Sequence, residues 1–491
     1  MRDAWRAADI RAAEQALMAT LPEGALMRRA AAGLARRCAL LLAQRPGGVY
    51  GGSVLLLVGA GNNGGDALYA GAALARRGAS VAALVLDPHR VHAGGMAYMQ
   101  AAGGRIVDRV PAAVDLVMDG IVGIGGHGGL RPDAAEVLRQ ACAAHARDGG
   151  APTVVAVDVP SGIAVDTGAV SGDVVRADVT VTFGAAKPGL LVGPAVRHAG
   201  LVELVDIGLG PWLRGDPALR VPDSADIAAW WPRPGADDDK YTRGVVGVAT
   251  GSAQYPGAAV LSVTGALAGP AGLVRYAGAA APGVRDRHPT VIAGDRVADA
   301  GRVQAWTCGS GLGTDERAEA ELRAVLAAPV PVCLDADALT LLVNGSMADL
   351  LRSRRAATVL TPHDREFARL AGSGPGEDRV ESALSLAAKT NATVLLKGDR
   401  TVVATPDGRA FVNPTGSSVL ATGGTGDVLA GLLGSLLAAG VPAARAALAA
   451  AYAHGLAGRH AAAGGPVTAA DVARSLRPVI ADLHSGGPGA A

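Results

Sequence analysis

A chain of 491 residues is longer than one hydrophobic core organises, so two domains are expected. Its 45 Lys and Arg against 44 Asp and Glu leave a formal net charge of +1, which excludes a broad electrostatic surface for nucleic acid. Any phosphate must be bound locally. Half of the residues are apolar, which is ample for burial, but no apolar run is long enough to imply a membrane partner. Residues 244–274 are charge-free yet broken by Pro256 and Pro270, and the charge-free run 428–444 reads as a buried helix. Cys38, Cys142, Cys308 and Cys333 show no C-x-x-C spacing, so they read as unpaired buried thiols. The charged first 19 residues lack the apolar stretch of an export signal, and a cytoplasmic protein is expected.

In chain order, residues 10–42 carry helical apolar spacing, and a strand at 54–58 runs into VGAGNNGGD and a helix at 67–77. Strand-like runs follow at 81–86, 116–118, 154–157 and 179–183, with helical segments between several of them. This alternation predicts a mostly parallel sheet covered on both faces, a Rossmann-like three-layer αβα domain over 1–210. The pattern weakens through the Pro- and Gly-rich stretch 211–239, read as a linker. It restarts over 240–491 with strands at 245–249, 305–308, 332–334, 358–360 and 394–396, then a hairpin turn at 397–401 and late helices beginning at Asp427 and Ala443. The second half is therefore another αβα domain.

Ligands in such sheets sit at the carboxyl ends of strands. Three segments converge there in the first half: 59–66, 119–129 and 158–162. Gly59, Gly61 and Gly64 satisfy G-x-G-x-x-G, so an NAD-dependent dehydrogenase is one reading. Asn62, Asn63, Gly65 and Asp66 add amides and a carboxylate suited to a ring, a ribose or an ion, although Asp66 is equally a helix N-terminal charge. DGIVGIGGHGG, from Asp119 to Gly129, is too glycine-rich for a packed element and reads as a ligand loop. Asp158 and Ser161 lie in a proline-glycine turn that is commonly structural. Asn63, Asp119 and Ser161 offer hard oxygen ligands, which suit an alkali or alkaline-earth cation.

In the second half, Gly423, Gly424 and Gly426 precede Asp427 at the mouth of an apolar helix. Backbone amides there suit a transferring phosphoryl group, and Asp427 is placed to take a proton from an attacking hydroxyl. In TPHDREF, Thr361 reads as the N-cap and Pro362 as the first helical residue, which leaves His363 unexplained. Lys397 reads either as part of a turn or as a phosphate ligand. Asp337 in LDADAL reads as a possible helix cap.

Taken in order, IRAAEQ, GNNGGD, VDVPSG, TFGAAKPGL, KYTRG, YPGAAVL, GSGLG, LDADAL, TPHDREF, KGDRT and GGTGD resemble the bifunctional NAD(P)H-hydrate repair enzymes. In that family an epimerase is followed by an ADP- or ATP-dependent dehydratase of ribokinase-like fold. The resemblance implies that Asn62, Asn63, Gly64, Gly65, Asp66, Gly123, Ile124, Gly125, Gly126, His127, Gly128, Gly129 and Asp158 contact the hydrated nicotinamide nucleotide. It implies potassium at Asn63, Asp119 and Ser161. Ala258, Gly311, His363 and Asp427 are then expected to contact the S epimer, and Lys397, Gly398, Asp399, Arg400, Thr401 and Gly426 an adenine nucleotide with Mg2+. Asp427 and Asp158 are the expected catalytic residues, and a homo-oligomer is expected. The chain departs from the family pattern at Ala67, Asp239, Ser310 and residues 417–420. The rival reading is a ribokinase-like small-molecule kinase with a non-catalytic nucleotide-binding N-terminal module.

Overall fold

A strand apolar on both faces is what a central parallel strand requires, and SVLLLV at Ser53–Val58 has that composition. The computed structural model describes residues 1–126, 128–343 and 345–486. It divides into a unit spanning Asp3–Ala218 and another spanning Leu219–Ala491 with Met1–Arg2. Strand β1 is Arg2–Ala4.

The first unit holds a seven-stranded sheet of β2 (Ser53–Val58), β3 (Ser80–Val85), β4 (Arg105–Val107), β5 (Leu116–Gly120), β6 (Thr153–Val157), β7 (Val179–Phe183) and β8 (Leu201–Val205). Their order, β4-β3-β2-β5-β6-β7-β8, is parallel throughout and reverses direction beside β2, as in Rossmann-like sheets. Alternation along β2 assigns the layers. Val54, Leu56 and Val58 join the core under helices Ala25–Ala43 and Asn62–Ala75, whereas Leu55 and Leu57 join the core under Pro132–Ala143.

The second unit continues with β9 (Leu219–Val221), β10 (Val245–Ala249), β11 (Leu273–Ala277), β12 (Ile292–Gly294), β13 (Ala305–Cys308), β14 (Val332–Leu334), β15 (Thr358–Leu360), β16 (Thr393–Leu396), β17 (Thr401–Ala404) and β18 (Ala410–Asn413). The order β9-β18-β17-β16-β15-β14-β13-β10-β11-β12 is parallel from β16 to β12, and the β16-β17-β18 hairpins are antiparallel. Val246, Val248, Cys333, Val359 and Leu395 pack into a core shared with helices Pro256–Ala268, Thr425–Ala438, Ala443–Ala462 and Ala469–Ser485. The charge-free run after Asp427 is thus a buried helix. Among the described residues no helix is long and apolar enough to cross a membrane.

Four expectations change. Residues 10–42 form two helices, Ala7–Met18 and Ala25–Ala43, because Gly24 takes a φ of +70° after Pro22. The stretch 211–239 is more than a linker: it contains β9 and helix Ser224–Trp230, capped by Asp223 and Asp226, and buries Ile227 and Trp231 in the second core. These elements are too short to show periodicity. The helices placed at Ala67 and Asp427 begin earlier, at Asn62 and Thr425, since the glycines before each acid enter the first turn. Cys142 is exposed, although Cys38, Cys308 and Cys333 are buried and all four are free.

Candidate active sites

In the first unit, Gly59 allows the ends of β2 and β5 to converge, because a Cβ there would run into the Ile121 carbonyl. Gly61 then turns the chain, at φ +78°, into helix Asn62–Ala75. Asn63 and Asp66 stand in its opening turns, each only 9% exposed. Asn63 Nδ2 and Asp66 Oδ1 are buried with no hydrogen-bond partner. Both side chains line a cleft of about 1510 Å³, together with Glu14, Asn62, Asp158 and the 123–126 and 128–129 loop. Burial, reinforced by the charges of Asp158 and Glu14, holds the Asp66 pKa well above the carboxylate range. Glu14 is raised in the same way, by burial and then by Asp158.

Asp158 closes β6 at a φ of +67°, a strained conformation for a residue with a side chain. Its backbone N–H donates to Val181 O at 2.8 Å, and its Oδ1 accepts from Phe183 N at 3.0 Å. The fully buried Lys187 ammonium donates to the same Oδ1, and also to Thr182 Oγ1 at 2.8 Å and Phe183 O at 2.9 Å. Every Lys187 hydrogen is thereby used, so its charge serves Asp158.

Asp119, wholly buried at the end of β5, accepts from Ser161 Oγ at 2.6 Å, Ser161 N at 2.8 Å and Ile121 N at 3.2 Å. Burial pushes its pKa up to about 6 despite these bonds, and among the described residues no ammonium or guanidinium opposes the rise. Asn63 abuts the same loop, where a Cβ on Gly123 would lie 2.9 Å from Asn63 Oδ1. The expected cation ligands are therefore neighbours around a carboxylate that, among the described residues, is buried without a cationic partner.

In the second unit the strand ends converge on Asp335, which follows β14 and is 2% exposed. Ser310 Oγ donates to its Oδ2 at 2.9 Å, Thr361 Oγ1 to its Oδ1 at 2.8 Å, and Lys397 Nζ to Oδ1 at 2.8 Å. Lys397 also lies 3.5 Å from Glu366 Oε2. Burial disfavours this ammonium, yet Asp335 and Glu366 outweigh burial and raise its pKa. Ala336, at φ +49°, holds Asp335 and Asp337 on either side of a strained turn. Asp337 Oδ2 accepts from Gly313 N at 2.8 Å rather than capping its own helix.

Asp427 is the third residue of Thr425–Ala438, just beyond Gly424 at φ +87°. Burial, then the charges of Asp335 and Asp337, push its carboxyl up to about 7, and Lys397 and Ser310 hold the rise in check. A Cβ on Gly426 would sit 3.6 Å from Lys397 Nζ, which places this helix mouth in contact distance of the ammonium. Gly311 and Ala258 are adjacent, the Gly311 Cβ position being 2.7 Å from Ala258 Cβ.

His363 proves to be the N-cap, in place of Thr361: its Nδ1 accepts from Glu366 N at 3.3 Å, and Glu366 Oε2 accepts from His363 N at 2.8 Å. His363 Nε2 lies 3.4 Å from Glu366 Oε1. The Arg400 guanidinium donates to Pro414 O, so within 397–401 this residue is a brace of the hairpin. Gly398, Asp399 and Thr401 complete that turn, with Thr401 Oγ1 donating to Gly398 O at 3.1 Å. The divergent stretch 417–420 is a short 3-10 turn whose Leu420 carbonyl accepts from Thr425 Oγ1 at 2.8 Å. His127 lies outside the described residues. Sequence reasoning missed Glu14, Lys187, Asp335 and Glu366 as site residues; only Asp335 carried a local signal, an acid directly after an apolar strand.

A family model described as NAD(P)H-hydrate dehydratase matches residues 246–477, and one described as YjeF-related protein N-terminus matches residues 23–189. The bifunctional NAD(P)H-hydrate repair enzyme Nnr of Mycobacterium tuberculosis is 52% identical over 406 residues, covering 83% of each chain. That of Mycobacterium leprae is 50% identical over 454 residues, covering 92% of this chain and 93% of its own. The NAD(P)H-hydrate epimerase of Clavibacter michiganensis subsp. michiganensis is 46% identical over 220 residues, 42% of this chain and 91% of that protein. With its two αβα units in matching order, this chain belongs to the bifunctional NAD(P)H-hydrate repair enzymes.

Proposed function

We propose that the first unit interconverts the R and S hydrates of NADH and NADPH, and that the second dehydrates the S form at the expense of ADP or ATP. The observation that carries the reading is the place of Asp427: a carboxyl at the glycine-lined mouth of a helix, beside Gly426 and Lys397, which burial pushes up to about 7. A hydroxyl on the hydrated ring is a poor leaving group. Asp427 accepts its proton as the oxygen attacks the terminal phosphorus; the phosphoanhydride bond breaks with AMP or ADP as the leaving group, and expulsion of phosphate, with loss of a proton from the adjacent ring carbon to water, restores the reduced ring. Amides at the helix mouth stabilise the transferring charge. Lys397 keeps Asp335 neutralised, so that Asp427 can ionise at neutral pH.

In the first unit, Asp158 works on the hydroxyl-bearing carbon, oriented by Lys187 and its own strained backbone. The all-oxygen set of Asn63, Asp119 and Ser161 suits potassium, because Asp119 is a buried carboxylate without a cationic partner. Potassium there would supply the missing positive charge and stiffen the 119–129 loop. Mg2+ enters with the nucleotide, whose phosphates supply most of the oxygen ligands such an ion takes.

The test is to incubate the chain with hydrated NADH, magnesium and ADP or ATP, following the absorbance of reduced nicotinamide. Its recovery, with consumption of both epimers faster than spontaneous exchange, is expected. A stable phosphorylated product with no recovery would instead support the kinase reading.

A further inference from the structure

The epimerase cleft contains a carboxyl group that no hydrogen bond explains. Among the described residues Asp66 Oδ1 is buried without a partner in the cleft that Asp158 also lines, and Asp158 Oδ1 is already engaged by Lys187 and Phe183. A buried, unpaired carboxylate oxygen costs free energy unless the group is protonated or meets a ligand. Three carboxyl groups, Glu14, Asp66 and Asp158, act on one another here with Lys187 as the ammonium among them. Three acids against one ammonium cannot all ionise cheaply, and a shared proton is the usual resolution.

We propose, resting on the epimerase reading above, that Asp66 is the proton donor of this cleft and that epimerisation proceeds by loss and return of the substrate hydroxyl. Asp66 gives its proton to the hydroxyl oxygen. The carbon–oxygen bond breaks, its electron pair leaving with water, and the lone pair of the ring nitrogen forms a carbon–nitrogen double bond. Water then adds to the opposite face, the double-bond pair returns to nitrogen, and the released proton passes to Asp158 and on to Asp66. The intermediate is a cation, which the excess of carboxylate over ammonium stabilises. Ring opening would place the developing charge on nitrogen as an anion, which this cluster opposes.

The groups facing Asp66 are Glu14 from helix Ala7–Met18, Asp158 after β6 and Lys187 after β7, with the His92 ring close to the neighbouring turn, 3.1 Å from the Gly65 Cβ position. Because Asp66 must hold a proton, epimerisation falls at high pH. Glu14→Gln removes one neighbouring negative charge, so this alkaline limb moves to lower pH.

Epimerisation of purified hydrates by the full chain is measured in water enriched in oxygen-18, across pH, with spontaneous exchange subtracted. Oxygen-18 entering the product in step with epimerisation, a loss of roughly 100-fold in kcat for Asp66→Asn, and the Glu14→Gln shift are expected. Epimerised product without label, a wild-type kcat with raised KM in Asp66→Asn, or an unmoved limb in a folded Glu14→Gln would each overturn the proposal. Dehydration of the S form reports independently on the other unit. A wild-type chain that failed to speed epimerisation at all would sink the epimerase reading itself.

Discussion

Lys397 Nζ lies 2.8 Å from Asp335 Oδ1, and this pair sits behind Gly426 at the mouth of the Asp427 helix. The lysine that reads from sequence as either a turn residue or a phosphate ligand is also the counter-charge of a buried acid. Its reach to Glu366 makes it the hub through which β14, β16 and helix Asp364–Ala371 meet.

Lys397→Met is therefore expected to destabilise the second unit by about 3 kcal/mol, because Asp335 and Glu366 would be left buried without a cation. Urea unfolding followed by tryptophan fluorescence, to which Trp230, Trp231 and Trp306 of the same unit contribute, checks this. The remaining activity should need higher pH, since Lys397 is one of the groups that hold the Asp427 pKa down.

Dehydration should depend on pH through Asp427. As a base it must be ionised, so kcat is expected to fall below pH 7, following the carboxyl at about 7. Asp427→Asn should lose roughly 100- to 10,000-fold and its acidic limb with it. Stability moves the other way. The folded pKa is raised above the unfolded one, so this carboxyl's contribution is full at low pH and lost as pH rises through about 7. At pH 8 the Asn variant should unfold at higher temperature than the wild type, and near pH 4 the difference should vanish.

Asp119→Asn tests the cation site. Potassium chloride is expected to raise the unfolding temperature of the wild type above that in an equal concentration of a bulky organic cation, by linkage of binding to folding. The variant should show no such difference, having lost the only charge among the proposed ligands. An equal response in both would remove potassium from this cleft.

Gly431→Ala tests the close approach that supports the Asp427 helix. A Cβ at 431 would run into the Ser262 carbonyl of helix Pro256–Ala268, so the helices must separate. A cost of about 1–3 kcal/mol is expected by denaturant unfolding. Dehydratase activity should fall with it, whereas epimerisation, which belongs to the other unit, should persist.

Period and punctuation in the chain alone determined most of the architecture. Strands such as 305–308 and 332–334 were legible to the residue, because these short apolar runs are cut off by Gly309 and Pro331, which leaves no length for a helix. The glycine turns announced Asp66, Asp158 and Asp427 as candidates, since glycine clusters at strand ends report backbone that a ligand approaches. Only the tertiary structure decided what each acid is worth. Lys187 lies 29 residues beyond Asp158, and Lys397 lies 62 beyond Asp335, so no local pattern reveals either pair. Burial was equally invisible: the high pKa values of Asp66, Asp119 and Asp427 come from desolvation first, a property of everything packed around a carboxyl. His363 exchanged roles with Thr361 because Thr361 was drawn inward to Asp335, a choice that capping rules, which read only neighbours in sequence, do not contain.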